Sequence, residues 1–451
     1  MASRLASGAT AFGAACLAVG VLAAGRARSA GEAPPASRGG QVGDTVPARR
    51  VAAPTVAPCE VPVLRRDTLR DAQGRAYYLA PDAMLLRDGV LFIAGQRSVW
   101  TRTGADGRVV DGEQDGVLAT LREANGAVRT FARPAAIGDV PLQTVRAAML
   151  PNDRWALLFS EHIAEVDNAI NRRVWVAVLS RTGWASVVPI MPPASVRILD
   201  GAGVPLNSRG EHLLTALPAI RDDDEFGALL LEGPVDALTT RFVPLPGVAY
   251  VTSSFVGSTL SPAMFAVHPN RGVSRSSNAL FHYPLDRSGV APVMLSDGVR
   301  AEIHFPHVYR VPGGYRVLAH ERSMIDRAAA DQLIEVRVPD SGTPQVEPLV
   351  PAVEKLATSG RDSTDVLIAI TSRTTSGLAD VTLFRRPGPG RGMRLPVSVA
   401  HTEVLGVAWD GAQHAVVATL NGDLNQAMAP SLALTWVTPR CRATSGQEDG
   451  R

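Results

Sequence analysis

The chain has 451 residues, 46% of them hydrophobic and 20% charged, with a net charge of +2. That balance supplies apolar material for a large core and excludes global disorder. No basic block is longer than a pair of arginines, which excludes the electrostatic footprint of a nucleic-acid binder.

In chain order, one arginine is followed by an uncharged Ala/Leu/Val-rich stretch from Leu5 to Gly25 and then by small residues. This layout predicts a signal peptide over 1–30, cleaved between Ala24 and Ala30, and hence a secreted, periplasmic or cell-envelope protein. The other reading of the same stretch is an uncleaved membrane anchor, but Arg26 and Arg28 sit on the wrong side of it for the positive-inside rule. Residues 31–58 are rich in Pro, Gly and Ala without hydrophobic period, as in a flexible linker. Residues 442–451 read as a disordered tail, which leaves 59–441 as the folded region.

Within 59–441 almost no stretch has a helical period. Segments such as "VTLF" (381–384), "IEVRV" (334–338) and "LALTW" (432–436) alternate, or form short apolar runs bounded by turn residues, as strands do. The chain is therefore expected to be all-β. Its turns form two interleaved series. One runs through Gly89, Asp153, Gly210, Pro262, Gly313, Asp362 and Gly411, with spacings of 49 to 64 residues. The other runs through Gly126, Gly183, Asp236, Gly289, Gly342 and Gly388, with spacings of 46 to 57 residues. Two series with one period near fifty predict a repeating unit of four antiparallel strands, which repeated radially is a β-propeller blade. Unrelated β-sandwiches also use short strands but give no reason for the period.

The first series has seven members and the second six, so the last unit stops after its third strand. The segment "CEVPVLRRD" (59–67) can supply the missing outer strand and close a seven-bladed ring. Closure would bring Cys59 and Cys441 onto adjacent strands, where a disulfide is feasible. In period and closure the 59–441 region resembles secreted bacterial β-propellers, and "AWDGAQHAVV" (408–417) is similar to a hairpin of such proteins. No named repeat signature is present, so the resemblance carries over no catalytic residue.

In a propeller the loops joining second to third strands surround one mouth of the central channel, and rigid roots make such loops the place for function. Here they are polar and unequal: 95–116, 160–173, 220–227, 268–278, 319–332, 371–380 and 421–431. Asp222, Asp223, Asp224, His268, Arg271, Arg322, Arg373 and Asp423 are the candidate binding residues. Glu161-His162 and His320-Glu321, at equivalent strand ends of the second and fifth units, are candidate acid–base pairs. Calcium is the one cofactor the acidic run admits, through Asp222 and Asp224. His304 and His307, three apart on a strand, are expected on opposite faces, which argues against zinc. Serine-nucleophile motifs and phosphate cradles are absent.

Two functions follow. The first is a monomeric binding scaffold for a protein or glycan. The second is an extracellular hydrolase or lactonase acting on a carbohydrate or lactone, with carboxylates at the channel mouth.

Overall fold

The computed structural model describes residues 49–50, 59–70, 78–79, 83–95, 97–103, 109–114, 116–137, 142–166, 169–199, 206–245, 253–256, 263–269, 278–284, 293–296, 301–325, 331–359, 366–373, 379–386, 392–396, 403–421 and 431–441. Among the described residues the only regular elements are strands, and no helix is long and apolar enough to cross a membrane.

The strands form antiparallel sheets in chain order. The 83–132 sheet contains Ala83–Arg87, Val90–Ala94, Val117–Arg122 and Val128–Ala132. The 142–190 sheet follows with Leu142–Leu150, Arg154–Val166, Ala169–Ser180 and Gly183–Ile190. In the 196–244 sheet the inner position is shared by Val196–Ile198 and Asn207–Arg209, both paired with His212–Arg221. The 253–296, 301–350 and 353–395 sheets repeat the pattern. The last sheet has only Glu403–Trp409, Ala415–Asn421 and Ser431–Val437 from its own segment. Val63–Thr68 completes it as the outer strand, with Val63 opposite Val437 and Thr68 opposite Ala433.

Local sequence explains the repeated hairpins. Asp88 and Gly89 take φ of 50° and 75°, and Asn152 and Asp153 take 58° and 53°. Two successive positive-φ residues make the turn whose twist matches that of the flanking strands, and Asp, Asn and Gly tolerate it best. Second strands are buried on both faces: Val90–Ala94 is buried throughout. Strands covered on both faces read as continuous apolar runs rather than alternating ones.

Neighbouring sheets share their cores. Phe92 of the 83–132 sheet stacks on Trp155 of the 142–190 sheet, with ring centroids 5.1 Å apart. Leu158 and Val176 pack with Leu217 and Leu229 of the next sheet, Leu230 with Phe281, and Phe265 with Val317. Leu318 packs with Ile368, and Leu383 with Val417. The 403–437 sheet returns to the 83–132 sheet through Trp436, Val416, Leu91 and Ile93. Each sheet thus packs on the next and the last on the first, which is the arrangement of a β-propeller.

The N-terminal segment does more than complete one sheet. Arg49–Arg50, inside the stretch read as linker, pair in parallel with Gln345 and Val346. Cys59–Glu60 pair in parallel with Met393 and Arg394 of the 353–395 sheet. Val63–Thr68 then joins the 403–437 sheet. The Cys59–Cys441 disulfide is present, with Cα atoms 5.5 Å apart. The expectation that both cysteines lie on adjacent strands of one sheet is corrected: Cys59 belongs to the edge of the 353–395 sheet, and Cys441 follows the last strand of the 403–437 sheet. Pro62 marks the crossing, since it cannot donate to a ladder; its carbonyl accepts from Thr438 N at 3.1 Å.

A second correction concerns the segment expected to be a 95–116 loop. It is a hairpin, Arg97–Thr103 against Val109–Gln114, joined by Tyr78–Leu79 in a small separate sheet. Likewise 160–173 is mostly ribbon, because Arg154–Val166 and Ala169–Ser180 stay paired out to Val166 and Ala169.

Candidate functional site

The mouth lies where inner strands begin and second strands end. Three neighbouring sheets present ionisable side chains there: Glu302 and His304 on the inner strand Ala301–Val311, Arg322 on Gly314–Ser323, Lys355 on Val353–Thr358, and Glu403 on Glu403–Trp409. His304 Nε2 lies 3.1 Å from Glu302 Oε2. Arg322 donates to both oxygens of Asp331, at 3.0 and 3.1 Å; that bond and the charge of Asp331 raise the guanidinium above its ordinary value, against partial desolvation. Lys355 Nζ reaches Glu403 Oε1 of the next sheet at 2.8 Å. Thr371 Oγ1 accepts from Val404 N at 2.8 Å, pinning the same two sheets together.

The inner strand of the 301–350 sheet carries a bulge. His304 is opposite His320, but His307 is opposite Leu318, so Phe305 and Pro306 stand against one partner residue. The extra residue resets the alternation. His304 and His307 therefore share a face instead of opposing, which corrects the sequence expectation, and His320 joins them. This face meets the 353–395 sheet: His307 Nδ1 is 3.1 Å from Thr358 Oγ1. Among the described residues no three His, Cys, Asp or Glu side chains are grouped to hold a metal.

His320 is buried at 5% exposure. Burial lowers its pKa to about 4; Asp331 opposes the shift, while His304, Lys355 and Arg322 add to it. The imidazole is therefore neutral near pH 7. Glu321 is its neighbour along the strand, so the two side chains leave opposite faces. Glu321 is buried at 6% exposure and accepts from the Gln332 amide. Glu161 and His162 sit within a strand, opposite Arg173 and Arg172; their side chains lie outside the described residues.

The acidic run forms the tip of the hairpin between His212–Arg221 and Phe226–Pro234. Asp222, Asp223 and Asp224 are all exposed. The Asp223 carboxylate is taken by Arg221, with Nη2 to Oδ2 at 2.8 Å, and this bond is the main cause holding its pKa below the usual carboxylate value. Asp222 N donates to Ser195 O at 2.9 Å, and Asp224 takes φ of 61° at the turn. Arg271 and Asp423 lie outside the described residues. His268 and Arg373 are in strands, with side chains outside them.

Sequence reading missed Glu302, Lys355 and Glu403, and set His304 aside on the expected alternation. The available signal was their position at the first residues of each inner strand.

The sequence matches no known family model and no curated protein. Several solved structures resemble the chain. A protein of unknown function from Dyadobacter fermentans is 11% identical, with 84% of this chain and 99% of that one covered and a TM-score of 0.47. A Mycobacterium tuberculosis puromycin-hydrolyzing peptidase is 13% identical, with 84% and 56% covered and a TM-score of 0.47. A Penicillium chrysogenum alpha-L-arabinanase is 13% identical, with 64% and 92% covered and a TM-score of 0.42. At these values no residue, activity or ligand is transferred to this chain.

Proposed function

We propose that the chain is an exported, monomeric seven-bladed propeller that binds a protein partner through the mouth built by the 301–350, 353–395 and 403–437 sheets. The blade count is supported by seven sheets of four or more strands and by a separate hydrophobic cluster at each junction between neighbours. Export is supported by the disulfide, which forms and persists in oxidising compartments.

The observation that carries the binding reading is the row of partly exposed, partner-held charges: Glu302–His304, Arg322–Asp331 and Lys355–Glu403. Each is rooted in a paired strand and so presents a fixed electrostatic pattern, which gives specificity and association rate. A protein is favoured over a glycan because, among the described tryptophans, Trp155, Trp175, Trp409 and Trp436 are buried between sheets, and Trp184, partly exposed, is tied to Ala132 O in the 83–132 and 142–190 sheets, away from this mouth.

The test is crosslinking of the oxidised protein to an envelope extract, read by mass spectrometry, with Arg322→Glu and Lys355→Glu variants and a glycan array in parallel. A partner captured by the parent protein and lost in both variants supports the reading. Capture unchanged by either variant, or binding confined to the array, overturns it. The second reading, a hydrolase or lactonase, is favoured by one feature, the Glu302 carboxylate beside the His304 imidazole. It requires turnover of a lactone or glycoside panel that Glu302→Gln abolishes.

A further inference from the structure

On the opposite side of the ring, between the turns at Gly313 and Gly342, the 301–350 sheet holds a cavity of about 200 Å³. Its walls include Arg316, Arg337, Thr343 and Gln345, with Val311 and Pro339 as the apolar part of the lining on the same face of the sheet. Behind them lies a partly buried charge network. Tyr309 donates to Glu335 Oε1 at 2.6 Å, and Arg316 Nη1 is 3.4 Å from Glu335 Oε2. Arg337 is ion-paired with Glu347 and stands 3.6 Å from Glu335. Arg386, from the neighbouring sheet, is 4.0 Å from Glu347.

Three guanidiniums face two carboxylates. Burial raises the Tyr309 hydroxyl far above its ordinary value, so it stays neutral and adds no negative charge. Among the described residues one positive charge of this network is left uncompensated. Arg337 Nε, moreover, is buried with no hydrogen-bond acceptor, although a buried donor ordinarily finds one. Among the described residues, the two guanidiniums that line the cavity therefore belong to a network short of one anion, with Arg337 Nε and, further back, Arg386 Nε both lacking an acceptor.

The geometry points to this cavity as a binding site for a small organic monocarboxylate, its carboxylate between Arg316 and Arg337 and its apolar body on Val311 and Pro339. A single planar anion matches both the deficit of one charge and the fork of a guanidinium. An added peptide strand does not suit the place, because the free edge of Gln345–Val350 already pairs with Arg49–Arg50. The site is independent of the mouth, so its failure leaves the proposed partner binding untouched.

The experiment is fluorine NMR of para-fluorobenzoate with the full-length oxidised protein, using para-fluorobenzamide as the uncharged isostere. Thr343→Trp serves as a variant that fills the cavity from an exposed turn while keeping every ion pair. The expected result is line broadening by the acid, affinity for the amide weaker by about tenfold or more, and loss of broadening in Thr343→Trp. Equal broadening by acid and amide overturns recognition of the carboxylate. Broadening that persists in Thr343→Trp overturns the location, and no broadening by the acid overturns the proposal.

Discussion

Removing the Cys59–Cys441 link is the sharpest perturbation of ring closure. The bond spans 382 residues, so in the chain-entropy treatment it raises the free energy of the unfolded state by about 6 kcal/mol at 25 °C. With ~2.1 cal/mol/K of unfolding entropy per residue, the folded region has an unfolding entropy of about 0.8 kcal/mol/K at its midpoint, and 6 kcal/mol corresponds to a fall in Tm of about 7 °C. Native disulfides typically deliver about 2–5 kcal/mol, which places the expected fall at about 3–6 °C. The assay compares the oxidised protein, the reduced protein and Cys59→Ser/Cys441→Ser by calorimetry and urea unfolding. Because the effect lies in the unfolded chain, the reduced protein and the double variant should shift together. Both should also show a larger m-value than the oxidised protein, whose unfolded state is held more compact. The folded state keeps Val63–Thr68 on Ser431–Val437 through its own ladder, so hydrogen exchange in those strands should change little under native conditions. A Tm that moves by less than about 1 °C on reduction, judged against the expected scale, refutes the reasoning.

Three further outcomes are expected. Asp67→Ala strips Arg122, buried at 8% exposure, of a carboxylate 3.0 Å away. Fully buried pairs cost about 3–5 kcal/mol to break; Asp67 is partly exposed, so denaturant titration should show a loss of about 2–4 kcal/mol. Gly314→Ala drives a Cβ to 2.2 Å from the Val338 carbonyl, an overlap that backbone must relieve, and stability should fall by about 1–3 kcal/mol or more. His320, with its folded pKa lowered to about 4 from about 6.5 unfolded, binds fewer protons folded than unfolded between those values. Its neutral form therefore costs nothing above about pH 6.5, and stability drains away as pH falls toward 4, by about 3 kcal/mol in total. Urea midpoints at pH 7 and pH 5 should differ by less in His320→Leu than in the parent protein, and an equal difference would sink this assignment.

The repeat was legible because its punctuation is chemical. Asp88-Gly89 and Asn152-Asp153 stand where positive φ is needed, and few other residues take that conformation without cost. Counting such positions gave the period, and the missing fourth strand of the last unit gave closure. The path of the N-terminal segment was not legible in the same way. Pro62 marks a break between Cys59–Glu60 and Val63–Thr68, but nothing local assigns the first to a parallel pairing with Met393 and Arg394 and the second to an antiparallel one with Val437. Strand pairing at that range is decided by the ring and not by propensity, which for strands is mostly a statement about context. The ribbon at 160–173 was read as a loop for a related reason: the alternation that identifies a strand comes from burial of one face, and a polar hairpin tip carries little of that contrast.

The mouth cluster was hidden by register. His304 and His320 are sixteen residues apart and become cross-strand neighbours only through the Ala301–Val311 hairpin. His304 and His307 share a face only because Phe305 and Pro306 bulge. A one-residue change in register moves a side chain to the other face of a sheet, so period-two reasoning failed where the strand departs from its ladder. Such departures re-aim side chains. Here the bulge puts His307 on the face that His304 and His320 already share as a cross-strand pair, with Lys355 close enough to oppose protonation of His320. A uniform hairpin would leave His304 and His320 on one face and send His307 to the other, into a separate sheet junction. The irregular strand concentrates them in one, at the end of the ring where the charged pairs lie, and this is why the mouth of the 301–350 sheet is where binding experiments belong.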